Sequence, residues 1–183
     1  MNKTLGDSFH FERAGLRLKN RAVLAPLTHN MSGAGGDPGQ AELDWLARCA
    51  RGGFGLLIAA ATQVRPGGRC WAGQPALMTD AQQQAFTALA DSARQAGALA
   101  VVQLHHGGMR ALPELNDGVP VGPCALAPGG RYPLGVKGLS EEEILTLIDA
   151  FVSAAERAYG AGLHGVELHA AHHFLLCNFL NPL

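Results

Sequence analysis

The sequence predicts an α/β chain whose strands run parallel, and three observations carry that prediction. Four short apolar runs recur: Ala22 to Pro26, Leu56 to Ala61, Leu99 to Leu104 and Gly165 to Leu168. They are nearly continuous in apolar residues rather than alternating, as expected of strands buried on both faces of a parallel sheet. Helical patterns lie between them, and the 24 glycines sit mainly where segments end, which reads as punctuation rather than linker.

Each element has its own signal. Phe9 to Leu16 reads as a small hairpin lid. Ala41 to Arg51 carries Leu43, Leu46, Ala47 and Ala50 on one side and stops at Gly52-Gly53. The next helix opens at Thr79 with Gln82 three residues on, the spacing of a capping box, and carries Phe86, Leu89, Ala90 and Ala93 before Gly97. In the third, Ser140 and Glu143 form the box, with Ile144, Leu147, Ile148, Phe151, Ala155 and Ala158 at helical spacing. Between the third strand and this helix lies a long Gly- and Pro-containing stretch, Gly107 to Leu139, of a kind that is more often functional than idle. A last apolar segment runs from Phe174 to Leu180. No linker or second domain is visible. The order β-α-β-α-β-α-β fits two architectures. One is a small open doubly wound sheet. The other is the first half of an eight-stranded barrel, whose eight units typically need about 250 residues.

Composition narrows the function classes. Fourteen Lys and Arg against fifteen Asp and Glu give a net charge of -1, with no basic stripe for nucleic acid. The longest apolar stretches fall well short of the roughly 18 residues that suggest a membrane span. The N-terminus shows no apolar signal region. Cys49, Cys70, Cys124 and Cys177 are widely spaced and form no CxxC pair. A cytoplasmic protein is the expectation.

The candidate chemistry gathers at the ends of the apolar runs, where parallel sheets bind ligands. After the fourth run, His169 and His172 are separated by two small residues, and two imidazoles there can polarise a carbonyl or phenolate oxygen. The same pair also reads as a strand cap or an adventitious metal site. Gln103, followed by His105 and His106, ends the third run and offers a donor and an acceptor to a heterocycle edge. Pro26 and Thr28 end the first run, and Ala61 ends the second with a small side chain under which a flat ligand can lie. Each of these has a purely structural reading as a turn or as packing.

Four segments in order carry a resemblance: Lys19 to Thr28, Gly52 to Thr62, Gln103 to Arg110, and Ala161 to His172 with Phe179, Leu180 and Pro182. Together they resemble the flavin-dependent Old Yellow Enzyme family, the NADH:flavin oxidoreductase barrels that include 2,4-dienoyl-CoA reductase. The resemblance covers nearly the whole chain. It implies the N-terminal half of a TIM barrel, about four βα units, with residues 1–183 as one partial oxidoreductase domain. It implies FMN as cofactor, with NADH or NADPH as reductant. Pro26, Thr28, Ala61 and Gln103 would contact the flavin, and His169 and His172 would bind the carbonyl oxygen of an enone-type substrate.

The sequence also departs from the family pattern. Phe174 stands where a proton-donating Tyr is expected, and it has no ionisable group. His173 replaces a Gly, which predicts strain if the turn needs positive φ. Asn181 stands where Ser is usual. The flavin-contacting Arg and the phosphate site of the family belong to later strands. Four barrel strands leave two open edges, which predicts self-association or pairing with a complementing C-terminal half. Two alternatives stand beside the flavoenzyme reading: an inactive remnant serving as an interaction module, and a metal-dependent hydrolase using His105, His106, His169, His172 and His173.

Overall fold

The computed structural model of the chain describes residues 2–116 and 118–181. Strands β1 (Phe9–Phe11) and β2 (Leu16–Leu18) pair antiparallel. The central sheet holds β3 (Val23–Leu24), β4 (Leu56–Gln63), β5 (Leu99–His105) and, last in the chain, β8 (Val166–Leu168). Its order is β3-β4-β5-β8, with every pairing parallel. Helices α1 (Gln40–Arg51), α2 (Asp80–Gln95) and α3 (Glu141–Gly160) make the crossovers. Both expected capping boxes form, at Thr79 with Gln82 and at Ser140 with Glu143.

The packing of the helices separates the two architectures. Helix α1 packs on β4 and α2, while α2 packs on β5 and α3. The three helices therefore form one contiguous layer, whereas a doubly wound sheet places helices on both faces. Leu57, Val102 and Leu104 meet Leu46, Phe86, Leu89 and Ala154 in the core between sheet and helices. This is the one-sided layering of a barrel wall.

The expectation of strands buried on both faces is corrected. Alternate residues Leu56, Ile58, Leu99 and Val101 are half-buried. The edge strands are more open still, with Val23 43%, Val166 39% and Leu168 54% exposed. Helices cover one face alone, and an edge strand has one neighbour. Ile148, expected in the buried stripe of α3, is also exposed, along with Leu145 and Val152, because α3 packs on α2 and β5 and these residues lie off that contact.

Other boundaries shift. The first apolar run reduces to two ladder residues before Pro26, which has no N–H to donate. The last apolar segment forms a short helix, α4 (Leu175–Leu180). The stretch from Gly107 to Leu139 contains two single-turn 3-10 helices and a two-residue parallel ladder, β6 (Val121–Gly122) with β7 (Lys137–Gly138). The N-terminal hairpin forms, but not as a lid over the candidate site. The Arg21 N–H bonds the Leu5 carbonyl and the Arg21 guanidinium lies over the Phe9 ring, which holds the hairpin at the N-terminal end of β3. The candidate residues lie at the opposite ends of the strands.

Candidate active site

All six residues singled out at the strand ends line one cavity of about 250 Å³: Pro26, Thr28, Ala61, Gln103, His169 and His172. Trp71, Arg110 and Phe174 complete its wall. Parallel order explains the convergence, because the C-terminal ends of β3, β4, β5 and β8 share one rim. The β4–β5 register is irregular between Ala59 and Thr62, a bulge that sets Ala61 at the rim.

Hydrogen bonds fix the orientation of two polar side chains. The Gln103 amide nitrogen donates to Glu167 Oε1 at 2.7 Å, which fixes the amide's orientation and leaves its oxygen, together with the second N–H, for a ligand. The Ala171 N–H approaches His169 Nδ1 at 3.4 Å, and His169 Nε2 lies 3.4 Å from His172 Nδ1. A neutral pair consistent with both contacts carries protons on the two Nε2 atoms and leaves His172 Nε2–H unengaged. Burial, and then the charge of His172, hold the His169 pKa below the ordinary imidazole value. His169 is therefore held toward its neutral form, and His172 Nε2–H is the donor of the pair left for a ligand.

Behind His169 stands His105, which is fully buried. Gln74 accepts from the Cys70 N–H at 2.8 Å and donates to the Ala61 carbonyl and to His105 Nδ1 at 3.1 and 3.0 Å. This assigns the His105 proton to Nε2, an atom without a hydrogen-bond partner among the described residues. The His105 ring packs edge-to-face on Phe174, with centroids 4.4 Å apart, and on His169 at 5.2 Å. Desolvation, followed by His169, pushes its pKa down to about 3.

The turn that presents the pair is strained. His172 and His173 adopt φ values of 56° and 57°, so the residue standing where the family has Gly does sit in the left-handed region. Such a conformation costs roughly 1–2 kcal/mol for each residue with a Cβ. Arg110 braces this turn, donating from Nη1 to the His172 carbonyl at 2.8 Å and lying 4.9 Å from the Phe174 ring centre.

Among the described residues, no three His, Cys, Asp or Glu side chains converge to hold a metal. The five histidines of the hydrolase alternative are divided: His169 and His172 line this cavity, whereas His106 lines a different one. The residues present do fit a flavin ring. Thr28 supplies a hydroxyl, Gln103 an amide oxygen, and Pro26 and Ala61 small or flat apolar surfaces, opposite a pair of imidazole donors. Trp71, Arg110, Gln74 and Glu167 were not singled out by sequence reasoning. Trp71, one of two tryptophans and flanked by Gly67, Gly68 and Gly73, offered a signal; Gln74 offered none.

Comparison with known proteins agrees with this geometry. The chain is 36% identical over 184 residues to the probable NADH-dependent flavin oxidoreductase YqiG of Bacillus subtilis (strain 168), covering 98% of this chain and 48% of that protein. It is 32% identical over 176 residues to 12-oxophytodienoate reductase 1 of Oryza sativa subsp. japonica, covering 93% and 46%. The Old Yellow Enzyme homologue of Zymomonas mobilis superposes with a TM-score of 0.84 at 31% identity, covering 94% of this chain and 50% of that one. The chain thus spans about half the length of these relatives. The Pro182 match lies outside the described residues. Because the family model matches residues 11–183, nearly the whole sequence, the chain belongs to the NADH:flavin oxidoreductase / NADH oxidase family.

Proposed function

We propose that residues 1–183 form the ring-binding and carbonyl-binding part of an FMN-dependent ene-reductase that uses NADH or NADPH. One observation carries the reading: side chains from four separate strand ends line a single cavity. When bound, FMN supplies a hydride from its reduced ring to an activated C=C bond. Every other task falls to the chain. Pro26 and Ala61 give the ring a flat apolar bed. Gln103, held by Glu167, presents an acceptor to the ring edge, and Thr28 presents a hydroxyl. His172 donates its unengaged Nε2–H to the carbonyl oxygen of an α,β-unsaturated substrate, and His169 joins it by exchanging its bond to His172 Nδ1 for one to that oxygen, drawing electron density from the β-carbon. Phe174 cannot deliver the proton required at the α-carbon, so water entering through the open side of the cavity supplies it.

The same reading asks for a second half. Among the described residues, sheet edges β3 and β8 have no strand partner on their outer side, and α3 and α4 carry further exposed apolar residues. A second copy, or a complementing half with the phosphate-binding strands, would cover them. All four cysteines are free, which suits the reducing cytoplasm. No helix among the described residues is long and apolar enough to cross a membrane. One observation favours a second reading, an inactive interaction module: Phe174 removes the acid while the apolar edges remain exposed.

A native mass spectrum after incubation with FMN and desalting tests the proposal. A dimer retaining FMN supports a rebuilt site. A flavin-free species of any size means that the residues present are insufficient to hold FMN by themselves, and the complementing half is then the place to look.

A further inference from the structure

A second cavity, of about 480 Å³, shares no lining residue with the candidate active site. Its walls come from the β4–α2 and β5–α3 connections and the start of α3. The volume lies in the range typical of small-molecule pockets, which combine apolar walls with a few convergent polar groups.

The polar groups are specific. His106 is 3% exposed and lines the cavity. Its Nδ1 accepts the Gly108 N–H at 3.1 Å, so the neutral ring carries its proton on Nε2. Nε2 makes no hydrogen bond among the described residues, and the ring is pressed against the Gly68 backbone, where an added Cβ would fall 2.6 Å from its Cδ2. Burial, and then the neighbouring Arg65 charge, lower the His106 pKa to about 4, keeping it an uncharged donor at neutral pH. Arg65 also lines the cavity, and its guanidinium makes no hydrogen bond or ion pair among the described residues.

Among the described residues, the other charged side chains lining the cavity are held by hydrogen bonds. Arg69 donates from Nε to Gln63 and from Nη1 to the Ala34 carbonyl. Glu143 is bonded to Lys137 and to the Ser140 N–H. Among the described residues Arg65 is therefore the lining cation with no hydrogen-bond partner, beside one neutral donor, in walls otherwise built from residues such as Leu115, Val119, Leu139 and Leu147. A carboxylate can accept from both the Arg65 guanidinium and His106 Nε2–H while an attached hydrocarbon body covers these aliphatic walls, which a small hydrophilic dianion such as phosphate would leave bare.

We propose that this cavity binds an apolar carboxylate, with its acid group between Arg65 and His106 Nε2–H and its hydrocarbon body against Leu115, Leu139 and Leu147. The site stands apart from the flavin reading and survives or fails independently of it.

Sodium octanoate titrated into the 183-residue chain, followed by NMR of the histidine ring nitrogens, tests the proposal. Octanoate is expected to shift the His106 Nε2 signal saturably. Octanol lacks the charge and acetate lacks the body, so each should bind at least tenfold more weakly. Arg65→Gln removes the cation, and Val119→Asp sets a repelling acid at a wall position that is 44% exposed and so tolerant of change. Each is expected to weaken octanoate tenfold or more. No saturable octanoate response in the parent chain overturns the proposal, as does octanol binding equally well. Octanoate affinity unchanged in a variant that still melts cooperatively overturns it too, so the second variant decides if the first fails to fold.

Discussion

The Gln103 side-chain amide donates to Glu167 Oε1 at 2.7 Å, across the β5–β8 ladder that places these two residues side by side. A carboxylate can only accept, so the amide cannot flip without losing this bond. Glu167→Ala frees the Gln103 rotor and lets its NH₂ turn toward the ring edge. A charge-assisted bond of this kind contributes about 1.5–3 kcal/mol, of which part acts on the ligand, so FMN affinity should fall roughly tenfold. Flavin fluorescence titration of parent and variant measures this.

Gly108 supports the candidate site from beneath. Its φ is +58°, and a Cβ there would come within 2.6 Å of Asn178 Oδ1 and 2.7 Å of the Leu175 Cα. The Leu175 backbone cannot yield without moving α4 and, with it, the turn bearing His172. Gly108→Ala should therefore destabilise the chain by about 2 kcal/mol or more, read as a lower urea midpoint. Gly118→Ala, with open space around the added Cβ, is the matched control and should change little.

Acid should unfold this chain early. Desolvation holds His105 at about 3 and His106 at about 4, each well below 6.5. Between pH 6.5 and these values the unfolded chain takes up protons that the folded chain refuses. Stability is thus fully present above pH 6.5 and is lost as pH falls, by up to about 3 kcal/mol for each histidine by pH 4. Unfolding free energies at pH 7 and pH 4.5 check this. Replacing His106 by Gln should flatten the acid limb, whereas an unchanged slope would remove His106 from the account.

Open edges should show as association. Leu168 in strand β8, an edge of the sheet among the described residues, is 54% exposed, and Leu180 of α4 is 73% exposed. Sedimentation should give a species heavier than one chain, and Leu168→Lys with Leu180→Lys should move it toward the monomer. A monomeric parent at micromolar concentration would count against the association proposed above.

Much of the fold was legible because its signals are local. The capping boxes at Thr79 and Ser140 need only three residues of spacing, and both formed. The buried stripe of α2 followed its periodicity through Phe86, Leu89 and Ala93. Ile148 of α3 did not, since periodicity names an apolar position but not what packs on it. At the site, His169 and His172 could be found from a strand end and a spacing. Gln74 could not, because it lies 31 residues from the His105 ring whose proton it assigns.

Residue order alone was enough for the succession of strands and helices, the strand-end residues worth attention and the family. Local rules of period, capping and glycine placement suffice for the first two, and four ordered motifs for the third. Tertiary structure decided that the helices share one face, that six residues meet in one cavity, and that Gln103 presents its oxygen. It also created the second cavity, whose Arg65, His106 and Leu147 come from three separate elements. Those properties depend on what lies across a strand or beneath a ring, and that neighbour is set by folding rather than by sequence distance.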